Sequence, residues 1–178
     1  MKNVKVGSRN FSERYKNSGM NERDEFFLHR AIALAHAGMR NNLGGPFGAV
    51  VVKNGAIVGE SSNLVTSTND PTAHAEISAI RLACQQLQSH QLTDCTLYTS
   101  CEPCPMCLGA IYWARPARVV YAATHRDAAD IAGFDDQFIY QELDKSPAQR
   151  KIKMVQLLAE KGREPFLEWQ RKENKKLY

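Results

Sequence analysis

His74 and Glu76 stand two residues apart, and Cys104 and Cys107 stand three apart in the run Pro103-Cys104-Pro105-Met106-Cys107. One imidazole and two thiolates form a ligand set for zinc, and three protein ligands leave the fourth tetrahedral position open. A hydrolytic centre needs that open position, and a closed structural site lacks it. Zinc lowers the pKa of a water held there from about 16 to roughly 7, so hydroxide is available at neutral pH. A carboxylate close to the imidazole can then carry protons, and Glu76 is that group. Cys101 offers a competing arrangement, because the run Cys101-x-x-Cys104-x-x-Cys107 with His74 would make a closed knot of four ligands. The knot would leave Glu76 idle, so the open site with His74, Cys104 and Cys107 as metal ligands is preferred. An iron–sulfur cluster would require a further thiolate.

These residues must be brought together by elements that the hydrophobic pattern predicts. Residues 21–40 read as a helix, with Phe26, Phe27, Ile32, Ala33 and Ala37 near one face, stopped by Gly44-Gly45-Pro46. Residues 47–52 and 56–65 read as two strands joined at Asn54-Gly55, a strong signal for a two-residue hairpin. Residues 67–72 form a loop ending in Asp70-Pro71, and a helix follows over 74–86 with Ile77, Ile80 and Cys84 on one face. A strand over 96–100, a helix over 103–113 and a strand over 118–123 then argue for parallel pairing. The pattern implies a mixed sheet with helices on both faces. From Met154 onward a further strand and an amphipathic helix holding Phe166 and Trp169 are expected. Cys104 and Cys107 fall at a helix start and share one face of its first turn, and His74 also falls near a helix start. The positive end of each helix favours the thiolates that zinc requires.

The 178 residues fit one domain with one core. We read 1–20 as a flexible polar extension and 21–178 as a single domain. No apolar run approaches the roughly 20 residues that cross a bilayer, so no membrane association is expected. The net charge of +4 is modest, and the basic residues near the end, Arg171, Lys172, Lys175 and Lys176, fit a solvated helix face better than a nucleic-acid contact. The five cysteines and the absence of a secretory leader in the first residues point to a reducing cytoplasm. Cys84 and Cys95 lie in apolar patterns and read as core.

The segments GGPFGAVVV (44–52), NDPTAHAEISAIR (69–81) and YTSCEPCPMCLGAIYWARP (98–116) closely resemble the cytidine-deaminase-like superfamily of zinc hydrolases. Their H-x-E…P-C-x-x-C pattern is that of zinc-dependent nucleobase deaminases. Within the superfamily the chain is most similar to the bacterial guanine deaminases, through AGFDDQFIY (132–140) and an aromatic end after a lysine-rich helix. The resemblance implies a three-layer α/β/α fold with a central mixed five-stranded sheet, one zinc ion per subunit, and hydrolysis of guanine to xanthine and ammonia. It also implies that Asn63 binds the purine, that Phe47 stacks on it, and that Asp135 is a second catalytic carboxylate. The same resemblance implies a homodimer that exchanges C-terminal segments, with Tyr178 of one subunit closing the other's site. Read from the residues alone, Asn63 is equally a turn residue, Phe47 a core residue, Asp135 a helix cap and Tyr178 a frayed end, while Asp136 fits either role of its neighbour.

Overall fold

Along the first strand, Val50 and Val52 face one way and Ala49 and Val51 the other, and all four are buried. A strand covered on both faces needs helices on both sides of its sheet. The computed structural model, which describes residues 20–177, has that arrangement. The described residues form two compact units, one ending at Asp136 and the other starting at Gln137.

The first unit contains, in order, α1 (Met20–Arg40), β1 (Gly48–Lys53), β2 (Ala56–Ser62), α2 (Val65–Thr68), α3 (Ala75–Leu87), β3 (Cys95–Cys101), α4 (Pro105–Ala114), β4 (Arg118–Ala123) and α5 (His125–Ala132). The sheet order is β2-β1-β3-β4. β1 pairs antiparallel with β2 and β3, and β3 pairs parallel with β4. Asn54 and Gly55 both take positive φ, 52° and 77°, as the tight β1–β2 hairpin demands. On one face Val50, Val52 and Tyr98 pack against Phe27 and Ala31 of α1. On the other, Ala49, Val51 and Leu97 pack against Ala79, Ile80 and Ala83 of α3 and Ile111 of α4. These are the three layers expected.

The sequence pattern located α1, the four strands, α3 and α4 to within a few residues, gave no element for α5, read a loop where α2 forms, and rotated α1. Ala33 and Ala37, expected on the inner face, are exposed, and the buried stripe is Phe27, Ala31, Ala35 and Gly38. The reason is a close approach to β1, where a Cβ on Gly48 would come within 2.2 Å of the Ala31 carbonyl oxygen. Ala31, Ala35 and Gly38, at separations of four and three, make one continuous small-residue stripe that permits that spacing, with Phe27 continuing it.

The second unit contains α6 (Gln137–Leu143), a 3₁₀ turn (Pro147–Gln149) and α7 (Ala159–Arg171). The expected helix with Phe166 and Trp169 is present as α7. The expected strand from Met154 is not formed, and residues 153–158 carry no ladder. The sheet therefore has four strands among the described residues, where the family resemblance implied five. A strand exists only through partners for its backbone groups, and the second unit offers none. No helix among the described residues is long and apolar enough to cross a membrane.

Leu97 is 1% exposed at the centre of the β3 face that supports α3. Leu97→Ala is expected to cost about 2–5 kcal/mol, read as a lower urea midpoint with an unchanged slope.

Candidate metal and catalytic site

The backbone reaches the first turn of α3 through an Asx turn, in which Asp70 Oδ1 accepts from the Thr72 backbone N–H at 2.8 Å and from Thr72 Oγ1 at 2.7 Å. His74 is then the N-cap of α3, with extended dihedrals of −64° and 156°. Cys104 is the N-cap of α4, with −65° and 168°, and Pro105 follows at the first helical position. An N-cap side chain ordinarily folds back to accept from the helix. Neither His74 nor Cys104 does so. Both point instead to a common place, where Cys107 joins them from the first turn of α4.

Nδ1 of His74 lies 3.6 Å from Cys104 Sγ and 3.4 Å from Cys107 Sγ. Bonds of about 2.0–2.1 Å to nitrogen and about 2.3 Å to sulfur at a tetrahedral angle put such ligand atoms about 3.5 Å apart. The three side chains, with ligand atoms all within 4.8 Å of one another, therefore fit zinc. The hydrogen bond between the two thiols, aided by His74, pulls the Cys104 thiol down to about 4. The same bond, with burial and the charge of Glu76, pushes Cys107 up. Contact with Cys104 raises His74. Cys101 stands apart: its Sγ approaches the Thr124 carbonyl oxygen at 3.4 Å, and burial raises its thiol to about 11. It is not in the ligand cluster.

Glu76, in the first turn of α3, is buried, and that burial holds its carboxyl above the ordinary range. Oε1 accepts from Thr99 Oγ1 at 3.0 Å, and Oε2 lies 3.5 Å from Cys107 Sγ. Beside this pair a cavity of about 610 Å³ opens, lined by His74, Glu76 and Cys104 together with Asn63, Phe47, Phe134, His125 and Asp136. Asn63 is 5% exposed, and its Oδ1 accepts from the backbone N–H groups of Gly45 and Val65, each at 3.2 Å. Its NH₂ is thus the group left to act as a donor. Gly44 makes room for it, since a Cβ there would fall 2.2 Å from Asn63 Oδ1. Phe47 is half-buried on the wall, with Phe134 edge-on at 5.0 Å and 81°.

The structure thus brings His74, Glu76, Asn63, Phe47 and Cys104 to one cavity, with Cys107 behind them in the ligand cluster. Asp135 is exposed and is not among the lining residues, whereas Asp136 is half-buried and is. Burial raises the Asp136 carboxyl, with the charge of Cys104 adding to it. Tyr178 and residues 1–19 of the extension expected over 1–20 lie outside the described residues, and Met20 opens α1. The sequence pattern did not single out Thr99 or the Glu102–His125 pair, in which His125 Nδ1 lies 2.7 Å from Glu102 Oε2 and lowers that carboxyl. Glu102 sits in the quoted motif, but no local spacing links it to a histidine 23 positions on.

A model of the cytidine and deoxycytidylate deaminase zinc-binding region matches residues 21–123. The chain belongs to that family. It is 59% identical over 154 residues to the guanine deaminase of Bacillus subtilis, which covers 86% of this chain and 98% of that protein. The crystal structure of that guanine deaminase superposes with a TM-score of 0.84 over the same shares of the two chains. The guanine deaminase structure from Nitrosomonas europaea matches at 32% identity over 75% of this chain and 77% of that one, with a TM-score of 0.56. A tRNA-specific adenosine deaminase of Agrobacterium fabrum is 41% identical over 58% of this chain and 67% of its own length. The family is a zinc-binding, hydrolytic one, and zinc is the metal that the His74, Cys104 and Cys107 donors suit.

Cys107→Ala is expected to abolish stoichiometric zinc binding, measured by elemental analysis of the purified protein. Cys101→Ala should keep its zinc, because Cys101 lies outside the cluster.

Proposed function

We propose that the chain hydrolyses guanine to xanthine and ammonia, with Glu76 as its proton carrier. The observation that carries this reading is a buried carboxylate beside a zinc ligand set, on a cavity that also holds Asn63 and Asp136. The 59% identity to a guanine deaminase across nearly all of that protein supports guanine over other amines.

His74, Cys104 and Cys107 hold the metal. Bound zinc supplies Lewis-acid activation of a water at neutral pH. Glu76 accepts one proton of the attacking water and delivers it to N3 of the purine as C2 is attacked. It then takes the proton of the new C2 hydroxyl and gives it to the amine, which leaves as ammonia while C2 becomes a carbonyl. Its raised pKa suits a group that must both take and give a proton near neutrality. The NH₂ of Asn63 donates to acceptors on the purine edge. Phe47 offers a ring on which the base stacks, and Phe134 holds that ring in place. The second carboxylate comes from the Asp135-Asp136 pair. We assign it to Asp136, which accepts from the N1–H and exocyclic amine of guanine and helps the amine leave. A base with several donors on one side has a use for two carboxylates.

We also infer a homodimer. Tyr112 and Trp113 on α4 are 74% and 64% exposed, a patch of the kind that a second subunit covers. In this reading the C-terminal segments exchange and Tyr178 closes the partner's cavity. The free thiols of all five cysteines support a cytoplasmic setting.

Purified zinc-loaded protein should release ammonia from guanine in preference to guanosine, adenine, cytosine, cytidine and ammeline. Preference for another member of the panel would overturn the substrate assignment. Glu76→Gln should keep zinc and fold while activity drops about 10²–10⁴-fold. Asp136→Asn should lose at least about 10²-fold, and Asp135→Asn only a few-fold. Deleting Leu177 and Tyr178 should leave the melting temperature unchanged and impair turnover. Full turnover by the deleted form would remove Tyr178 from the site.

A further inference from the structure

Thr99 occupies the most protected polar position in the described core. It is 0% exposed, and it lies on β3 in the row of Cys95 and Leu97, which face the α3 side of the sheet. Its cross-strand partner on β1 is Ala49, also fully buried. Packing alone would place valine there, since valine has the same shape and carries no hydroxyl to desolvate. Burying an unpaired hydroxyl costs stability, so such a group is retained only with a partner. The partner is Oε1 of Glu76, 3.0 Å away.

The two oxygens of Glu76 therefore have different surroundings. Oε1 faces the sheet and receives the Thr99 hydroxyl, while Oε2 faces the ligand cluster, 3.5 Å from Cys107 Sγ. A threonine is stiff at χ1 because its Cβ is branched, so its hydroxyl direction is set by the strand. The carboxylate also meets a backbone N–H of its own residue and Cys107 Sγ, and the Thr99 bond is the one that ties Oε1 to the sheet. A bond donated to Oε1 also survives whether or not Oε2 carries a proton, since a carboxylate and the carbonyl oxygen of a carboxylic acid both accept.

We propose that Thr99 is the positioning residue for the proton carrier: its hydroxyl pins Oε1 of Glu76 and so dedicates Oε2 to proton transfer. This rests on Glu76 being the carrier, as argued above. A group that moves protons must be held within about half an ångström and 10–20° of its working geometry, and the bond from a rigid strand adds the restraint that selects which oxygen faces the sheet.

The test uses the zinc-loaded full chain and two variants. Thr99→Val keeps the shape and removes the hydroxyl. It should retain zinc and fold, lower kcat about tenfold or more, and leave KM within about twofold, as loss of a bond to a charged group predicts. Thr99→Ser restores the donor and should return kcat to within about threefold of wild type. In a crystal structure of Thr99→Val, the Glu76 carboxylate should be rotated or split between two orientations. If Thr99→Val has a kcat within twofold of wild type, or if its Glu76 keeps the wild-type orientation, the proposal is overturned. Loss of kcat in Thr99→Ser equal to that in Thr99→Val would overturn it too, because shape and not the hydroxyl would then be at issue. If wild type deaminates another amino-heterocycle but not guanine, the substrate reading fails, and the Thr99→Val to wild-type ratio is measured on that heterocycle with the same thresholds.

Discussion

The site depends on two helix N-termini aimed at one point. The N-terminal turn of a helix presents unsatisfied N–H groups and a partial positive charge, and both favour anions. α3 and α4 begin with His74 and Cys104 at their N-caps, and neither side chain is spent on capping its own helix. Cys107 and Glu76 follow within the first turn of the same two helices. One nitrogen, two sulfurs and a carboxylate thus arrive from two rigid elements and no long loop. That geometry meets the spacing that zinc demands, 3.4 and 3.6 Å between nitrogen and sulfur.

The sheet makes this convergence firm. α3 and α4 rest on the same face of β1 and β3, through Ala79, Ile80, Ala83 and Ile111 against Val51 and Leu97. Close-packed cores transmit small displacements, so the positions of His74 and Cys104 follow from how these helices sit on the strands. The opposite face is closed by α1, which lies near enough to β1 to require glycine at position 48. The same economy appears at the cavity, where Gly44 lets Asn63 turn its carbonyl oxygen to two backbone N–H groups. A short side chain in one place fixes the direction of a functional one in another.

Burial divides the labour among groups of like chemistry. Cys101, Cys104 and Cys107 are all cysteines within seven positions of the chain. The first is a buried thiol raised to about 11 with a carbonyl oxygen beside it, while the other two share the imidazole. Glu76 and Glu102 are both glutamates near the metal ligands. Glu76 is desolvated and raised, whereas Glu102 meets His125 and is lowered. Proton transfer calls for a carboxylate of the first kind, and ordering a loop beside the cavity calls for the second.

The sequence by itself determined the metal chemistry. Cys104 and Cys107 stand three apart and Glu76 stands two from His74, and spacings that short need no knowledge of the fold, whereas the 30 positions between His74 and Cys104 are closed only by the fold. The hairpin at Asn54-Gly55 and the helices carrying the ligands were legible for the same reason, since turn chemistry and hydrophobic period are local properties. The tertiary structure decided what depends on distant segments meeting. It turned α1 so that Ala31 and Ala35 face the sheet and not Ala33 and Ala37, because the approach of Gly48 is set across the layer interface. It joined Thr99 to Glu76 and Glu102 to His125, each pair 23 positions apart. It left residues 153–158 without a ladder, because a strand is defined by its neighbour and not by its own residues. It also set Asp136 on the cavity wall with Asp135 exposed beside it, a distinction between adjacent identical residues that only the path of the backbone draws.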